Sequence, residues 1–306
     1  MKIGVIGVGT VGSAVLEGFR EYHDVIGYDV KKPKYCKNID KLRGMDMVFL
    51  CLPTPTNAGS QDRSTIQRSL VLLQNMKFEG IVVIKSTVIP GICEKFNKNM
   101  KLNIVHCPEF LSAETAVQDF KDQKDIIIGG NTARDDYKVT MEKVLKAHQP
   151  LGVKKAYVGS TTQTEMIKYM HNIFLACKVG ICNELYSVCD DLKLEYQPLM
   201  DIAAKITGWI NPRHISVPHR GRLGFGGECF PKDIAAFNTE FRHVNLDIIQ
   251  ATIDSNKSRA KRANPKRLRE LPMQNITVRG ESDKRRTRRS RPQGQAQNRV
   301  STGTNG

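Results

Sequence analysis

Cys229 stands in the run Phe225-Gly-Gly-Glu-Cys229-Phe-Pro-Lys-Asp233. An ionised thiol is a potent nucleophile, and positive charge from Lys232 close by favours the thiolate. Lys168 and Asn172 are four residues apart, so they share one face of a helix. A cation and an amide donor side by side suit an alkoxide or a tetrahedral oxyanion. Near the start of the chain, Gly7, Gly9 and Gly12 follow an apolar run in a Gly-x-Gly-x-x-Gly spacing. Gly7 allows a tight turn, Gly9 lets the backbone approach a pyrophosphate, and Gly12 lets helix and strand pack closely. Asp29 comes 17 residues after Gly12, at the end of the second apolar run. A carboxylate there binds ribose hydroxyls and repels a 2′-phosphate, which predicts NAD over NADP; Lys31 and Lys32 beside it weaken that preference.

These groups need elements to hold them. Short apolar runs at Lys2–Ile6, Val25–Tyr28, Met47–Leu52, Ile81–Ile84, Asn103–His106 and Ile126–Ile128 alternate with helix-length polar stretches. That alternation predicts βαβ units, and so an α/β protein with an N-terminal Rossmann-like, doubly wound parallel sheet over 1–158. The pattern then becomes helical. Thr162 and Glu165 have capping-box spacing, and apolar residues follow at 166, 170, 173, 174, 177 and 181. Further helix is expected at 197–207, 231–241 and 246–258, giving an α-helical central domain over 159–259. Thr207–Gly227, rich in Gly, Pro and His, reads as a long functional loop. Beyond it, 260–306 lacks apolar periodicity and reads as a disordered basic tail.

Charge follows the same division. Of 47 basic and 31 acidic residues, 15 and 3 lie from Lys257 onward, leaving 32 and 28 in the first 256 residues. The body is thus near neutral, and the whole-chain charge of +16 says little about what the body binds. The basic run Lys284-Arg-Arg-Thr-Arg-Arg-Ser-Arg lacks interleaved aromatics, which argues against a nucleic-acid role. No apolar stretch is long enough to span a membrane, and the first residues lack a signal-peptide cleavage site. The eight cysteines form no CxxC pair, so neither a metal site nor a thioredoxin-type site is expected, and reduced thiols in the cytoplasm are.

Five blocks together resemble the UDP-glucose/GDP-mannose dehydrogenase family: Gly7–Gly12; Ser86-Thr-Val-Ile-Pro-Gly91; Pro108-Glu-Phe-Leu111; Glu165-Met-Ile-Lys168-Tyr-Met-His-Asn172; and Phe225 to Asp233. They stand in family order and spacing over about residues 1–258. The resemblance implies NAD-dependent oxidation of a nucleotide-sugar C6 alcohol, UDP-glucose first, to the acid. A four-electron oxidation passes through an aldehyde, and a cysteine can hold it as a thiohemiacetal and then a thioester. By resemblance Cys229 is that nucleophile, Lys168 and Asn172 contact the reacting oxygen, and Asp233 handles the catalytic water or proton. Thr87 positions water, and Glu109 is the base for thioester hydrolysis. Phe225, Phe230, Lys232 and Arg213 are implied substrate contacts, and the long helix is the implied core of a homodimer.

Two departures stand out. The family usually carries a second Glu four residues after the first, near the nicotinamide; position 113 is Ala here and the acid is Glu114. Family members also continue for roughly another hundred residues, one domain's worth, into a second Rossmann-like domain that helps bind the nucleotide. This chain instead enters the basic tail near Arg259, so that domain is expected to be missing. An active dehydrogenase and an NAD-binding dimeric scaffold with little or no turnover are therefore both open readings.

Overall fold

The computed structural model describes residues 1–219 and 221–260; the expected disordered tail lies outside them. In chain order the elements are β1 (Lys2–Ile6), α1 (Thr10–Phe19), β2 (Asp24–Tyr28), β3 (Met47–Leu50), β4 (Thr56–Asn57), β5 (Ser60–Gln61), α2 (Ser64–Asn75), β6 (Ile81–Ile84), α3 (Ile92–Asn99), β7 (Asn103–His106), α4 (Ala116–Asp122), β8 (Asp125–Gly130), α5 (Tyr137–His148), β9 (Lys155–Ser160), α6 (Thr161–Asp191), α7 (Tyr196–Thr207), α8 (Phe230–Glu240) and α9 (Asp247–Ala260).

Seven strands form one sheet in the order β2-β1-β3-β6-β7-β8-β9. The central strands β3 and β6 are apolar throughout because both faces are covered, and successive residues go to opposite sides. Met47, Phe49, Ile81 and Val83 pack on one side with Val15 and Phe19 of α1, Phe120 of α4 and Val144 of α5. Val48, Leu50, Val82 and Ile84 pack on the other with Leu70 of α2, Ile92 of α3, Tyr169 of α6 and Phe237 of α8. The sheet is doubly wound as expected, but it is not wholly parallel. β8 meets β7 antiparallel through one pair, His106 opposite Gly129, and then runs parallel to β9. Burial on both faces leaves no alternation in these apolar strands, and hydrophobic pattern carries no information about strand direction.

α6 begins two residues earlier than expected. Ser160 is its N-cap: its side chain accepts from the Gln163 amide, and the Gln163 side chain accepts in return from the Ser160 amide. Ser160-x-x-Gln163 and Thr162-x-x-Glu165 both satisfy the capping rule; β9, running up to Ser160, selects the first. The helix is also amphipathic in an unusual sense. Its buried face carries Thr164, Glu165, Lys168, Asn172 and Asn183, whereas Met170, Phe174, Ile181, Leu185 and Val188 are exposed. Of the apolar stripe read from the sequence, Met170, Phe174 and Ile181 point outward while Met166 and Ile173 pack against the core, and Lys168 and Asn172 point in.

Among the described residues no helix is long and apolar enough to cross a membrane. All eight cysteines are free.

Candidate active site

The strand order changes direction at β1, which lies between β2 and β3. In open α/β sheets the crevice for a ligand lies at the carboxyl ends of the strands at such a switch point. Gly7 leaves β1 there with φ +87°, and a Cβ on it would come within 2.5 Å of the Cys51 carbonyl oxygen, just past β3. A Cβ on Gly12 would lie 1.8 Å from the Gly7 oxygen, so α1 could not pack with any side chain there. Gly9 differs: a Cβ would meet nothing within 4 Å. Gly9 is also the N-cap of α1, with no side chain capping the helix. Unfilled space over uncapped helix amides fits a pyrophosphate, so the loop fits NAD.

Asp29 closes this loop from below. Its carboxylate accepts from the Val8 amide at 2.8 Å and from the Lys31 amide at 2.8 Å. Lys32 donates its ammonium to the Val8 carbonyl. Asp29 is therefore a loop-setting residue at the end of β2. Cys51, beneath the loop, has its thiol pushed up to about 12 by burial, so it stays protonated.

A second constellation gathers at the buried face of α6. Lys168 donates to the Glu109 carbonyl at 2.6 Å, lies 3.4 Å from its Oε1, and sits over the Phe110 ring at 4.9 Å. The other carboxylate oxygen of Glu109 accepts from the Leu111 amide at 2.6 Å. One turn along α6, Asn172 Nδ2 donates to Asp233 Oδ2 at 2.8 Å, and Lys232 donates to the other Asp233 oxygen. Lys232 also reaches the Thr54 hydroxyl at 3.4 Å.

Cys229 stands over this group. It is exposed, is the N-cap of α8, and its carbonyl accepts from the Asp233 amide at 2.9 Å. The expected thiolate is not what the surroundings favour. Partial burial pushes the thiol up, Asp233 and Glu109 push it further, and Lys232 and Lys168 pull it back without prevailing. Lys232 is the nearer lysine in sequence, but burial is the larger influence, and the Asp233 carboxylate paired with Lys232 opposes it at the same place. A helix N-terminus, which stabilises an anion, was not recognised at Cys229 in the sequence, although Pro231 in the first turn of α8 signals one.

Not every expected residue joins this cluster. Thr87 lies at the edge of the same face, its carbonyl accepting from Thr54 and from Gln61 at 2.9 and 3.1 Å. Phe225 is only 4% exposed and packs on Ala176, Val179 and Ile234. It is a core residue here and offers no ring to a substrate. Phe230 is half-buried against Phe225 and His214. Arg213 is exposed, its carbonyl held by Lys178 at 2.8 Å. Glu114 is exposed in the turn before α4, and no hydrogen bond ties it to the cluster.

Two contributors were missed in the sequence. His171 places Nδ1 3.0 Å from Asn172 Oδ1. That oxygen can only accept, so His171 donates and turns the Asn172 amide nitrogen toward Asp233. Gln61, on the hairpin β4–β5, donates to Thr87 O and the Tyr169 hydroxyl, each at 3.1 Å, and accepts from the Ile89 amide. A Gln in a two-residue strand carries no pattern that would mark it.

The Gly-rich crevice and the cluster of lysines, carboxylates, an amide and a thiol therefore occur in one chain, and both are features of a nucleotide-dependent dehydrogenase fold. Residues 37–149 match the NAD binding domain of the UDP-glucose/GDP-mannose dehydrogenase family, and residues 162–258 match its central domain. The chain belongs to this family. It is similar to the UDP-glucose 6-dehydrogenase of Rickettsia conorii, with 32% identity over 230 residues, covering 72% of this chain and 51% of that protein. Among solved structures it is similar to a UDP-glucose dehydrogenase from Pyrobaculum islandicum (TM-score 0.74, 24% identity, 84% of this chain and 68% of that one). It is also similar to the UDP-D-ManNAc dehydrogenase of Pyrococcus horikoshii (TM-score 0.70, 20% identity, 84% and 68%). The chain spans about half the length of the Rickettsia relatives it matches. The domain match begins at residue 37, after the Gly7–Gly12 loop, so the case for that loop rests on its own geometry.

Proposed function

We propose that the chain catalyses NAD-dependent oxidation of a nucleotide sugar, UDP-glucose first, from its C6 alcohol to the acid. The observation that carries this reading is the pairing of Lys168 with Glu109 and, one turn along α6, of Asn172 with Asp233, whose own amide holds the Cys229 carbonyl. Residues 1–158 hold the cofactor through Gly7, Gly9, Gly12 and Asp29; residues 159–259 supply the thiol and the dimer face. Bound NAD supplies the hydride acceptor, one molecule for each two-electron oxidation. The protein's own groups do the rest. Asp233 or water takes the thiol proton as the sulfur pair bonds to the C6 aldehyde carbon, and the π pair of the carbonyl bond moves onto its oxygen. Lys168 and the Asn172 amide stabilise the charge on this oxygen. The second oxidation leaves a thioester on Cys229. Glu109 takes a proton from water as it attacks, the C–S bond breaks, and the thiol is regenerated with the acid. In this reading Thr87 orients that water, and Lys232, Phe230 and Arg213 meet the substrate.

The raised thiol of Cys229 is the observation that favours the alternative, an NAD-binding dimeric scaffold with weak or no turnover. NADH absorbance with UDP-glucose, GDP-mannose and a UDP-N-acetyl sugar decides between them. NADH formation that disappears in Cys229→Ala, with NAD binding kept, is the expected result. Equal rates with and without the thiol overturn the covalent mechanism, and no NADH from any of the three sugars favours the scaffold.

The exposed apolar stripe of α6 supports a homodimer built on this helix, since Phe174 is 73% exposed and Ile181 59%. Eight free thiols are consistent with a reducing compartment such as the cytoplasm.

A further inference from the structure

The segment that delivers Cys229 has little structure of its own. Between α7 and α8 the described residues form turns and one isolated bridge, His219 with Arg222. Downstream of the thiol, the Asp233 amide holds the Cys229 carbonyl and Asn172 holds the Asp233 side chain. Upstream, beyond the ties of Lys178 to Asn211 and Arg213 and of Tyr196 to Ile215, the hold nearest to the thiol is at Phe225. The Asn256 carboxamide on α9 accepts from the Phe225 amide at 2.7 Å and donates to the Phe225 carbonyl at 3.0 Å. This two-way exchange copies a hydrogen-bonded pair of an antiparallel ladder, with a side chain standing in for the second strand. Next to it, the Gly224 amide donates to Asn183 Oδ1 at 2.8 Å. Arg259, on the last turn of α9, donates to the Asn183 carbonyl at 3.0 Å and to the Ser187 hydroxyl at 2.9 Å, joining α9 to α6 beneath the anchor. The Phe225 ring, buried among Ala176, Val179 and Ile234, adds a hydrophobic hold at the same residue.

Only Gly226, Gly227 and Glu228 separate this anchor from Cys229, and Gly227 has φ +77°. Two glycines in three residues supply little torsional restraint of their own. The place of the sulfur is therefore set by the two pinned ends.

We propose that Asn256 is a positioning residue for Cys229: through Phe225 it fixes the upstream end of the loop so that the thiol faces Lys168, Glu109 and Asp233. Phe225, carried into the reading as a substrate contact, serves instead as the held end. The inference rests on Cys229 being the nucleophile, and its test is chosen to stand apart from turnover.

The full chain is compared with Asn256→Asp and Asn256→Ala. Aspartate keeps the acceptor for the Phe225 amide but loses the donor to its carbonyl; alanine loses both. The rate of Cys229 alkylation by iodoacetamide is followed against pH, with the modified peptide identified by mass. NAD affinity is measured in parallel. Alkylation at Cys229 is expected to change by about tenfold in the alanine variant and by less in aspartate. Its pH midpoint is expected to move toward that of an ordinary thiol, with NAD affinity kept. An unchanged rate and midpoint in both variants overturn the proposal. Failure of Cys229→Ala to abolish NADH formation overturns the nucleophile instead, and leaves the alkylation result readable. Should the variants not fold, amide exchange in the unaltered chain decides. Phe225 is expected to exchange about a hundredfold more slowly than Gly227, and equal exchange overturns the anchor.

Discussion

Asn172 and Asp233 lie 61 residues apart in the chain and 2.8 Å apart in space, amide nitrogen to carboxylate oxygen, with Asp233 only 1% exposed. Through this bond α6 fixes the first turn of α8, and so the helix end that carries Cys229. The same carboxylate raises the Cys229 thiol, second only to burial. Asp233→Asn keeps the shape and removes the charge. The pH midpoint for alkylation of Cys229 is expected to fall, whereas Lys232→Met is expected to raise it. Iodoacetamide rates across pH measure both, and midpoints that stay unchanged in both variants would show that the charges do not act on the thiol.

The phosphate loop separates binding from folding. Gly9→Ala places a methyl group in open space, at a helix N-cap with an ordinary negative φ of −79°. The variant is expected to melt near the unaltered temperature and to bind NAD at least about tenfold more weakly, a loss of roughly 1.4 kcal/mol. Gly12→Ala drives a methyl group into the Gly7 carbonyl. Its cost is expected to reach or exceed the roughly 1–3 kcal/mol of ordinary overpacking. Calorimetry for NAD and thermal melts of both variants check the contrast.

Asp29 tests cofactor choice. Because its carboxylate holds the Val8 and Lys31 amides, Asp29→Ala is expected to weaken NAD binding and narrow the preference over NADP. Titration of the unaltered chain with each cofactor, showing equal or better NADP binding, would refute the preference itself.

Glu165 makes stability depend on pH. It is fully buried, accepts from the Gly91 and Cys93 amides at 2.6 and 2.8 Å, and is raised by burial to about 7 from 4.5. The folded chain therefore keeps this proton at a pH where the unfolded chain has lost it. Its contribution is present in full below about 4.5 and is lost as pH rises through about 7, on the order of 3 kcal/mol in all. Glu165→Gln is expected to flatten the fall in stability between pH 5 and 8. Urea midpoints across that range measure it, and an equally steep fall in the variant would assign the pH dependence elsewhere.

The outward face of α6 tests assembly. Phe174→Asp combined with Ile181→Asp places two charges on the exposed stripe while leaving the buried Lys168 and Asn172 face untouched. The double variant is expected to be monomeric where the unaltered chain is dimeric. Light scattering at micromolar concentration would refute the dimer by finding the unaltered chain monomeric.

Much of the framework was legible because it rests on runs of apolar residues. Lys2–Ile6, Ile81–Ile84 and Asn103–His106 were read with the bounds they adopt, and α7, α8 and α9 to within two residues. What stayed hidden lacks a pattern by its nature. The β4–β5 hairpin is four polar residues in two-residue strands, and β9 is largely exposed, so neither alternates. In the site, spacing put Lys168 and Asn172 on one helix face, and the family resemblance added Asp233 and Glu109. They did not reveal that Phe225 points into the core or that Asp233 outweighs Lys232 at the thiol. Those outcomes depend on which side chain reaches which atom across the fold, and sequence neighbours do not report that.

The hairpin also bears on how the chain comes into being at the ribosome. The Thr56 hydroxyl donates to the Lys232 carbonyl, 176 residues later, and a Cβ on Gly59 would strike Thr239. At roughly 5–20 residues per second of synthesis, the hairpin waits on the order of ten to thirty-five seconds for the helix it clasps. Its strand residues are polar, so the hairpin itself adds no apolar surface during the wait. The first half of the protein can settle its sheet while holding open the place where the cysteine-bearing helix will dock.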